Sequence, residues 1–196
     1  MATAVLALQG AFEEHERALA DVGEASFELR SAADLARPFD RLVLPGGEST
    51  VQGKLLREEG LLSPLRERIA AGMPVLGTCA GLILLARAVE GDGSRKSAPD
   101  AAQTGPWIGT LDVVVKRNAY GRQLGSFHTE GQLGDLAHVP MTFIRAPFVA
   151  SAGPAVDVLA TVDGRAVAVR QGAQIGLAFH PELDADRRIH KSFAKL

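Results

Sequence analysis

The sequence predicts an α/β fold, with a mostly parallel central sheet and helices on both of its faces. Three observations predict it. Short apolar runs alternate with amphipathic stretches through the first 90 residues, the alternation that gives parallel strands joined by crossover helices. The apolar runs are short and continuous, as in buried strands. Glycine and proline stand where these elements should stop.

Taken in order, Ala4–Leu8 reads as a buried strand. Glu13–Val22 carries Ala18, Leu19 and Val22 among charges and stops at Gly23, so it reads as a helix. Ala25–Leu29 and Arg41–Leu44 are strands, the second running into Pro45-Gly46-Gly47. Thr50–Glu58 and Ser63–Ala71 are helical, the latter with Pro64 in its first turn and Gly72 after its end. Pro74–Gly77 is a strand and Ala80–Val89 an apolar helix. Gly91–Pro106 is rich in Gly, Ser, Asp and Pro and reads as an exposed loop. Beyond it Leu111–Val115, Thr142–Ile144, Val156–Val162, Ala166–Val169 and Ile175–Phe179 are strand-like. Asp163-Gly164 has the composition of a tight hairpin turn between two of them. The last dozen residues, from Ala185, suit a helix. No repeat and no linker divides the chain, so residues 1–196 are expected to form one domain.

The composition narrows the function. The 196 residues are 46% hydrophobic and carry a formal net charge of −2, from 21 basic and 23 acidic residues. No basic stripe is present to hold a polyphosphate backbone, so nucleic acid is not an expected partner. No apolar run approaches the ~20 residues that cross a bilayer, and no basic stretch precedes an apolar one at the N-terminus. Cys79 is the only cysteine. It excludes an intrachain disulfide and fits a reducing cytoplasm.

The strongest local signal is Gly77-Thr78-Cys79-Ala80-Gly81, between an apolar strand and an apolar helix. It has the form of a nucleophile elbow with cysteine in place of serine. Flanking glycines let strand, turn and helix pack closely, and a cysteine in a helix's first turn meets its positive end, which favours thiolate. The Ala80 N–H would face an oxyanion forming on a substrate carbonyl. In isolation a lone cysteine is more often a buried structural thiol.

The candidate base is His180, in His180-Pro181-Glu182. Pro181 pushes His180 into an extended conformation, and in an extended segment Glu182 points to the same side. A carboxylate there fixes the imidazole tautomer and stabilises its protonated form. The other histidines, His15, His128, His138 and His190, lie in polar surroundings and are expected at the surface. One cysteine and scattered histidines do not make a zinc site, and neither metal nor cofactor is expected. Pro45-Gly46-Gly47-Glu48-Ser49-Thr50 follows a strand and precedes a helix. Its glycines suit a loop that turns an N–H to a ligand, and Ser49 or Thr50 equally suits a helix N-cap.

Together these elements resemble the class I glutamine amidotransferases, whose triad is Cys-His-Glu. Further segments resemble one branch of them, the glutaminase subunits of two-component pyridoxal 5′-phosphate synthases. These are Leu8-Gln9-Gly10-Ala11, Leu44–Thr50, Gly77–Ala86, Arg117–Gln123, Phe143–Pro147 and Phe179–Leu183, in the family's order across nearly the whole chain. The resemblance implies a three-layer, flavodoxin-like architecture. It makes Cys79 the nucleophile, His180 the general base and acid, and Glu182 its orienting partner. It places Gly47, Glu48 and Ser49 in a glutamine-binding loop, with an N–H at Gly47 joining that of Ala80 in the oxyanion hole. Arg117, Ile144 and Arg145 match positions lining the glutamine pocket, where an arginine fork suits an α-carboxylate. The segment 91–106 is longer than the family's compact pattern, and Ser126–Glu130 is less acidic.

The implied activity is hydrolysis of L-glutamine to glutamate and ammonia. Ammonia is mostly protonated in water, so the ring-forming synthase subunit is the implied partner. Three rivals share the same residues: a glutaminase serving another pathway, a stand-alone cysteine hydrolase acting on a peptide or small amide, and a non-catalytic subunit that keeps only the fold.

Overall fold

The computed structural model describes residues 2–90, 107–117 and 126–196. The loop expected at 91–106 and the 118–123 part of the Arg117 segment lie outside the described residues.

Strands β1 (Ala2–Leu6), β2 (Ser26–Leu29), β3 (Phe39–Leu44) and β4 (Val75–Thr78) alternate with helices α1 (Phe12–Asp21), α2 (Ser49–Glu58) and α3 (Leu62–Ala70). After α4 (Ala80–Leu85) and β5 (Ala86–Glu90) come β6 (Leu111–Lys116), β7 (Ser126–Leu133), β8 (Leu136–Ile144), β9 (Phe148–Ala152), β10 (Asp157–Val162), β11 (Arg165–Gln171), β12 (Gln174–Leu177) and α5 (Arg188–Phe193). The main sheet runs β2-β1-β3-β4-β12-β11-β9-β6-β5, with β10 added beside β11. Its first five strands are parallel. Their order is the doubly wound flavodoxin-like one with β12 as fifth strand. Beyond β12 the pairings turn antiparallel through β11, β9 and β6. The α/β expectation therefore holds, and the sheet's far half is mixed.

The helices form two groups. α1 packs with α5, whereas α2 packs with α3 and α4. Continuous apolar strands explain why: Ala4–Leu6, Leu42–Leu44 and Val75–Leu76 are fully buried, so helices must cover the sheet.

The structure differs from the sequence reading in three places. The helix expected over Ala80–Val89 stops at Leu85, and Ala86–Glu90 pairs as a strand with β6. An apolar run of this kind does not separate helix from strand by periodicity. Sequence reading also missed β7, β9 and most of β8. β7 reads Ser-Phe-His-Thr-Glu-Gly-Gln-Leu, too polar for an apolar strand signal, and its antiparallel pairing with β8 defines it. Third, β12 ends at Leu177, three residues before His180. The expected hairpin at Asp163-Gly164 is present. Both residues have positive φ, 50° and 72°, and Val162 pairs with Arg165 across them, as a two-residue primed turn requires.

Three neighbouring parallel strands, β3, β4 and β12, end in register: Leu44 pairs with Gly77, and Thr78 with Leu177. The segments that leave them therefore lie side by side at the carboxyl edge of the sheet. A Cβ added to Gly81 in α4 would collide with the Leu44 carbonyl. Helix propensity alone favours Gly81→Ala by about 1 kcal/mol, whereas overpacking costs about 1–3 kcal/mol. The variant is therefore expected to be less stable than wild type in urea unfolding, with a lower midpoint.

Candidate active site

Cys79 stands between β4 and α4 with φ 48° and ψ −96°. This is a conformation that a non-glycine residue adopts only when its surroundings impose it. The Cys79 N–H donates to the Leu177 carbonyl at 2.8 Å, and the Ile83 N–H returns to the Cys79 carbonyl at 3.3 Å. Gly77 and Gly81 make room for this turn: a Cβ on Gly77 would lie 2.8 Å from the Gly81 backbone. Because α4 has six residues rather than ten, less aligned backbone dipole reaches the sulfur than the sequence suggested. Ala80 is the first helical residue, so its N–H has no intrahelical acceptor.

His180 faces Cys79. Its backbone N–H donates to Thr142 of β8 at 2.9 Å. The backbone does not continue extended through Pro181. Residues Pro181–Leu183 form a 3₁₀ turn, with proline at its start. That turn folds Glu182 back, and its Oε1 lies 2.7 Å from His180 Nδ1. Cys79 is the other side chain that acts on the ring. A side chain on Gly46 would strike the imidazole, so the loop after β3 closes the third side of the ring.

The three groups are buried: Cys79 is 8% exposed, His180 7% and Glu182 4%. Burial disfavours the charged imidazolium, but hydrogen bonds to Cys79 and Glu182 and the charges of both outweigh it. The His180 pKa is pushed up to about 10. Burial also acts to raise the Glu182 pKa, yet His15 and His180 on either side hold it below the usual carboxylate range.

His15 and His190 depart most from the sequence reading. Both were expected at the surface, and both are fully buried. His15 Nδ1 lies 3.0 Å from His190 Nε2, and His15 Nε2 lies 3.1 Å from Thr78 Oγ1 and 3.4 Å from Glu182 Oε2. A signal existed: His15, Ala18, Leu19 and Val22 follow helical spacing, so His15 shares the apolar face of α1. Likewise His190 and Phe193, spaced i and i+3, are both buried on α5. His128 and His138 are exposed, as expected.

A cavity of about 190 Å³ opens in front of Cys79, lined by Gly47, Glu48, Ser49, Ile83, Arg117, Ile144, Arg145 and Pro147. All six expected substrate-binding residues are among them; Ile83 and Pro147 are additions. Arg117 Nη2 donates to Ser49 Oγ at 3.1 Å and Thr50 Oγ1 at 3.0 Å, and lies 3.6 Å from Glu48. The Glu48 N–H donates to Gln9 Oε1 at 2.7 Å. Arg145 holds a left-handed φ of 44° at the rim. A larger hollow of about 620 Å³ lies at the other edge, where β3 and β4 begin, lined by Leu35–Asp40, Arg68, Ala71 and Met73. It contains neither cysteine nor histidine.

The profile of the SNO glutamine amidotransferase family matches residues 5–196. The chain belongs to that family. A pyridoxal 5′-phosphate synthase subunit PdxT from Desulfitobacterium hafniense is 56% identical over 193 residues, which cover 98% of this chain and 92% of that protein. A protein of the same name from Streptococcus pneumoniae is 46% identical, covering 100% and 97%. Among solved structures, a glutamine amidotransferase superposes with a TM-score of 0.88 at 39% identity over the full length of both chains. A more distant solved structure, from Thermoplasma acidophilum, shares the fold at 16% identity and a TM-score of 0.65, covering 100% of this chain and 92% of that one.

The raised His180 pKa depends on Cys79 as well as Glu182. Cys79→Ala removes one of the two groups that hold the ring proton. The midpoint of the His180 ring titration, followed by NMR, is expected near pH 10 in wild type and lower in the variant. An unmoved midpoint would assign the shift to Glu182 alone.

Proposed function

We propose that this chain is the glutaminase subunit of a pyridoxal 5′-phosphate synthase, hydrolysing L-glutamine and passing ammonia to the ring-forming subunit. The observation that carries it is the Cys79–His180–Glu182 arrangement facing a small polar cavity. The near full-length similarity to PdxT subunits supports the pathway. The cavity, at about 190 Å³, is below the range typical of drug-sized ligands. It suits one amino acid better than the peptide of a stand-alone cysteine hydrolase.

In this reading the Cys79 thiolate, stabilised by the His180 imidazolium, attacks the glutamine side-chain carbonyl carbon. The N–H groups of Gly47 and Ala80 receive the oxyanion. On collapse the C–N bond breaks, and His180 gives its proton to the departing amine, so ammonia leaves. His180 then removes a proton from water as it attacks the thioester. The C–S bond breaks, glutamate leaves, and the thiolate–imidazolium pair is restored. Glu182 holds the imidazole at Nδ1 throughout, keeping Nε2 towards the sulfur. Glu48, Ser49, Arg117, Ile144 and Arg145 bind the amino-acid part of the substrate. Arg117 spends Nη2 on the loop hydroxyls, and an arginine fork has a second nitrogen for a carboxylate.

Residues 1–196 act as one amidotransferase domain, a reading supported by the single main sheet that takes in strands from β1 to β12. Among the described residues no helix is long and apolar enough to cross a membrane. A cytoplasmic setting is supported by the free thiol of Cys79.

Two outcomes test this reading. Cys79→Ala is expected to abolish ammonia release from glutamine while leaving binding to the synthase subunit nearly intact in a pull-down. Wild type alone is expected to be a weak glutaminase, stimulated by the synthase subunit. Equal turnover with and without that subunit, or faster hydrolysis of simple amides than of glutamine, would sink the reading.

A further inference from the structure

His15 and His190 sit behind the triad, on helices that carry none of it, and their four ring nitrogens restrict one another. His15 Nδ1 and His190 Nε2 are 3.0 Å apart, so one of them must carry the shared proton. Two neutral arrangements satisfy that contact. In the first, His15 is protonated at Nδ1 and donates to His190. His190 must then carry its own proton at Nδ1, an atom that is buried without a hydrogen-bond partner among the described residues. The same arrangement lets the Thr78 hydroxyl donate to His15 Nε2 at 3.1 Å, but it also points that bare lone pair towards Glu182 Oε2, 3.4 Å away. Oε2 is itself buried with no well-formed hydrogen bond among those residues. A buried orphan N–H and two facing lone pairs are both unfavourable.

The second arrangement reverses both faults. His190 Nε2–H donates to His15 Nδ1, and His15 Nε2–H faces Thr78 Oγ1 at 3.1 Å and Glu182 Oε2 at 3.4 Å. The one unpaired nitrogen, His190 Nδ1, is then an acceptor, which is the less costly orphan. We propose that His15 and His190 are positioning residues of the proposed glutaminase site: a two-histidine relay, protonated at both Nε2 atoms, that holds Glu182 from behind.

The consequence is geometric. Glu182 Oε1 is taken by His180 and Oε2 faces His15, so the carboxylate is fixed from two sides. Thr78, the residue before the nucleophile, meets the same His15 nitrogen. One ring therefore ties the elbow of β4 to the 3₁₀ turn after β12. The charged groups around the pair agree with a neutral relay. Burial lowers the His15 pKa against the opposing pull of Glu182 and Glu14, with His180 adding to the lowering. His190 is pushed down to about 3, with burial the largest cause and Arg187 adding to it against Glu182.

This inference rests on the glutaminase reading for its catalytic consequence, but its protonation pattern does not. Ring-nitrogen NMR of the isotope-labelled wild-type chain, with His15 and His190 assigned by substitution, is expected to show both neutral and both protonated at Nε2 at about pH 7. A proton on Nδ1 of His15, or a charged ring at either position, overturns the proposal. In the complex with the synthase subunit, His15→Asn leaves no donor at the Nε2 position. It is expected to lower kcat for glutamine hydrolysis about 10–100-fold, the range typical of groups that orient a ligand from behind, with KM changed less than about twofold. His15→Gln places an amide N–H near the lost Nε2–H and is expected to recover most of that kcat. Equal loss in both variants would mean that His15 only fills space, and no loss in either would mean that it does not position Glu182. Each result overturns the proposal. If the variants do not fold, the wild-type protonation pattern decides. If wild-type complex releases no ammonia from glutamine, the glutaminase reading fails while the histidine pattern is still read directly.

Discussion

A cysteine held at φ 48° is the constraint on which the rest of this structure depends. Such a backbone costs of order 1–3 kcal/mol and persists only where its surroundings leave no alternative. Here they leave little. The Cys79 N–H is anchored to Leu177, Gly77 fits against Gly81, and Gly81 fits against Leu44. β4 is thus clamped between β3 and β12 at the point where it turns. The two strands that hold the elbow are also the two that deliver Gly47–Ser49 and His180. The strain that turns Cys79 to the cavity and the register that gathers the other groups share one cause, three parallel strands ending together.

The second demand on the fold is a buried carboxylate. Glu182 is 4% exposed, and removing one member of a buried ion pair typically costs about 3–5 kcal/mol because the remaining charge is uncompensated. Glu182 therefore needs partners in place before any substrate arrives. His180 supplies one within two residues. The other side is met from far away in sequence, by His15 on α1, itself backed by His190 on α5. This explains the position of α5, a six-residue helix whose buried side chains reach the back of the site.

What was legible in the sequence follows from the same division. The elbow and the His180-Pro181-Glu182 segment could be read because their chemistry lies within a few consecutive residues, and glycine and proline mark the backbone that it needs. The inner parallel strands could be read because Ala4–Leu6, Leu42–Leu44 and Val75–Leu76 are fully buried and therefore form continuous apolar runs. β7 and most of β8 could not, because a two-stranded ribbon with a polar strand is defined by its pairing and not by its composition. The Ala86–Glu90 strand was hidden for the opposite reason, being continuous with an apolar helix. His15 and His190 were misplaced because their neighbours are charged in sequence, while their contacts lie 175 residues apart for the pair and 63 for His15 with Thr78. The helical spacing of His15 with Ala18, Leu19 and Val22, and of His190 with Phe193, was the clue, and a polar ring on an apolar face is easily assigned to the wrong side.

Why two histidines stand behind a carboxylate, and not a lysine or an arginine, follows from electrostatics. A permanent cation at the position of His15 would neutralise Glu182 and compete with His180 for it. The imidazolium would lose part of what holds its pKa near 10. An apolar side chain would leave Glu182 Oε2 facing nothing. A neutral imidazole orients the carboxylate without consuming its charge, provided that burial keeps it neutral beside an anion. Burial is the largest influence on His15 and prevails over the pull of Glu182. Packing α1 and α5 over the sheet therefore sets the charge state of the site as well as covering its core.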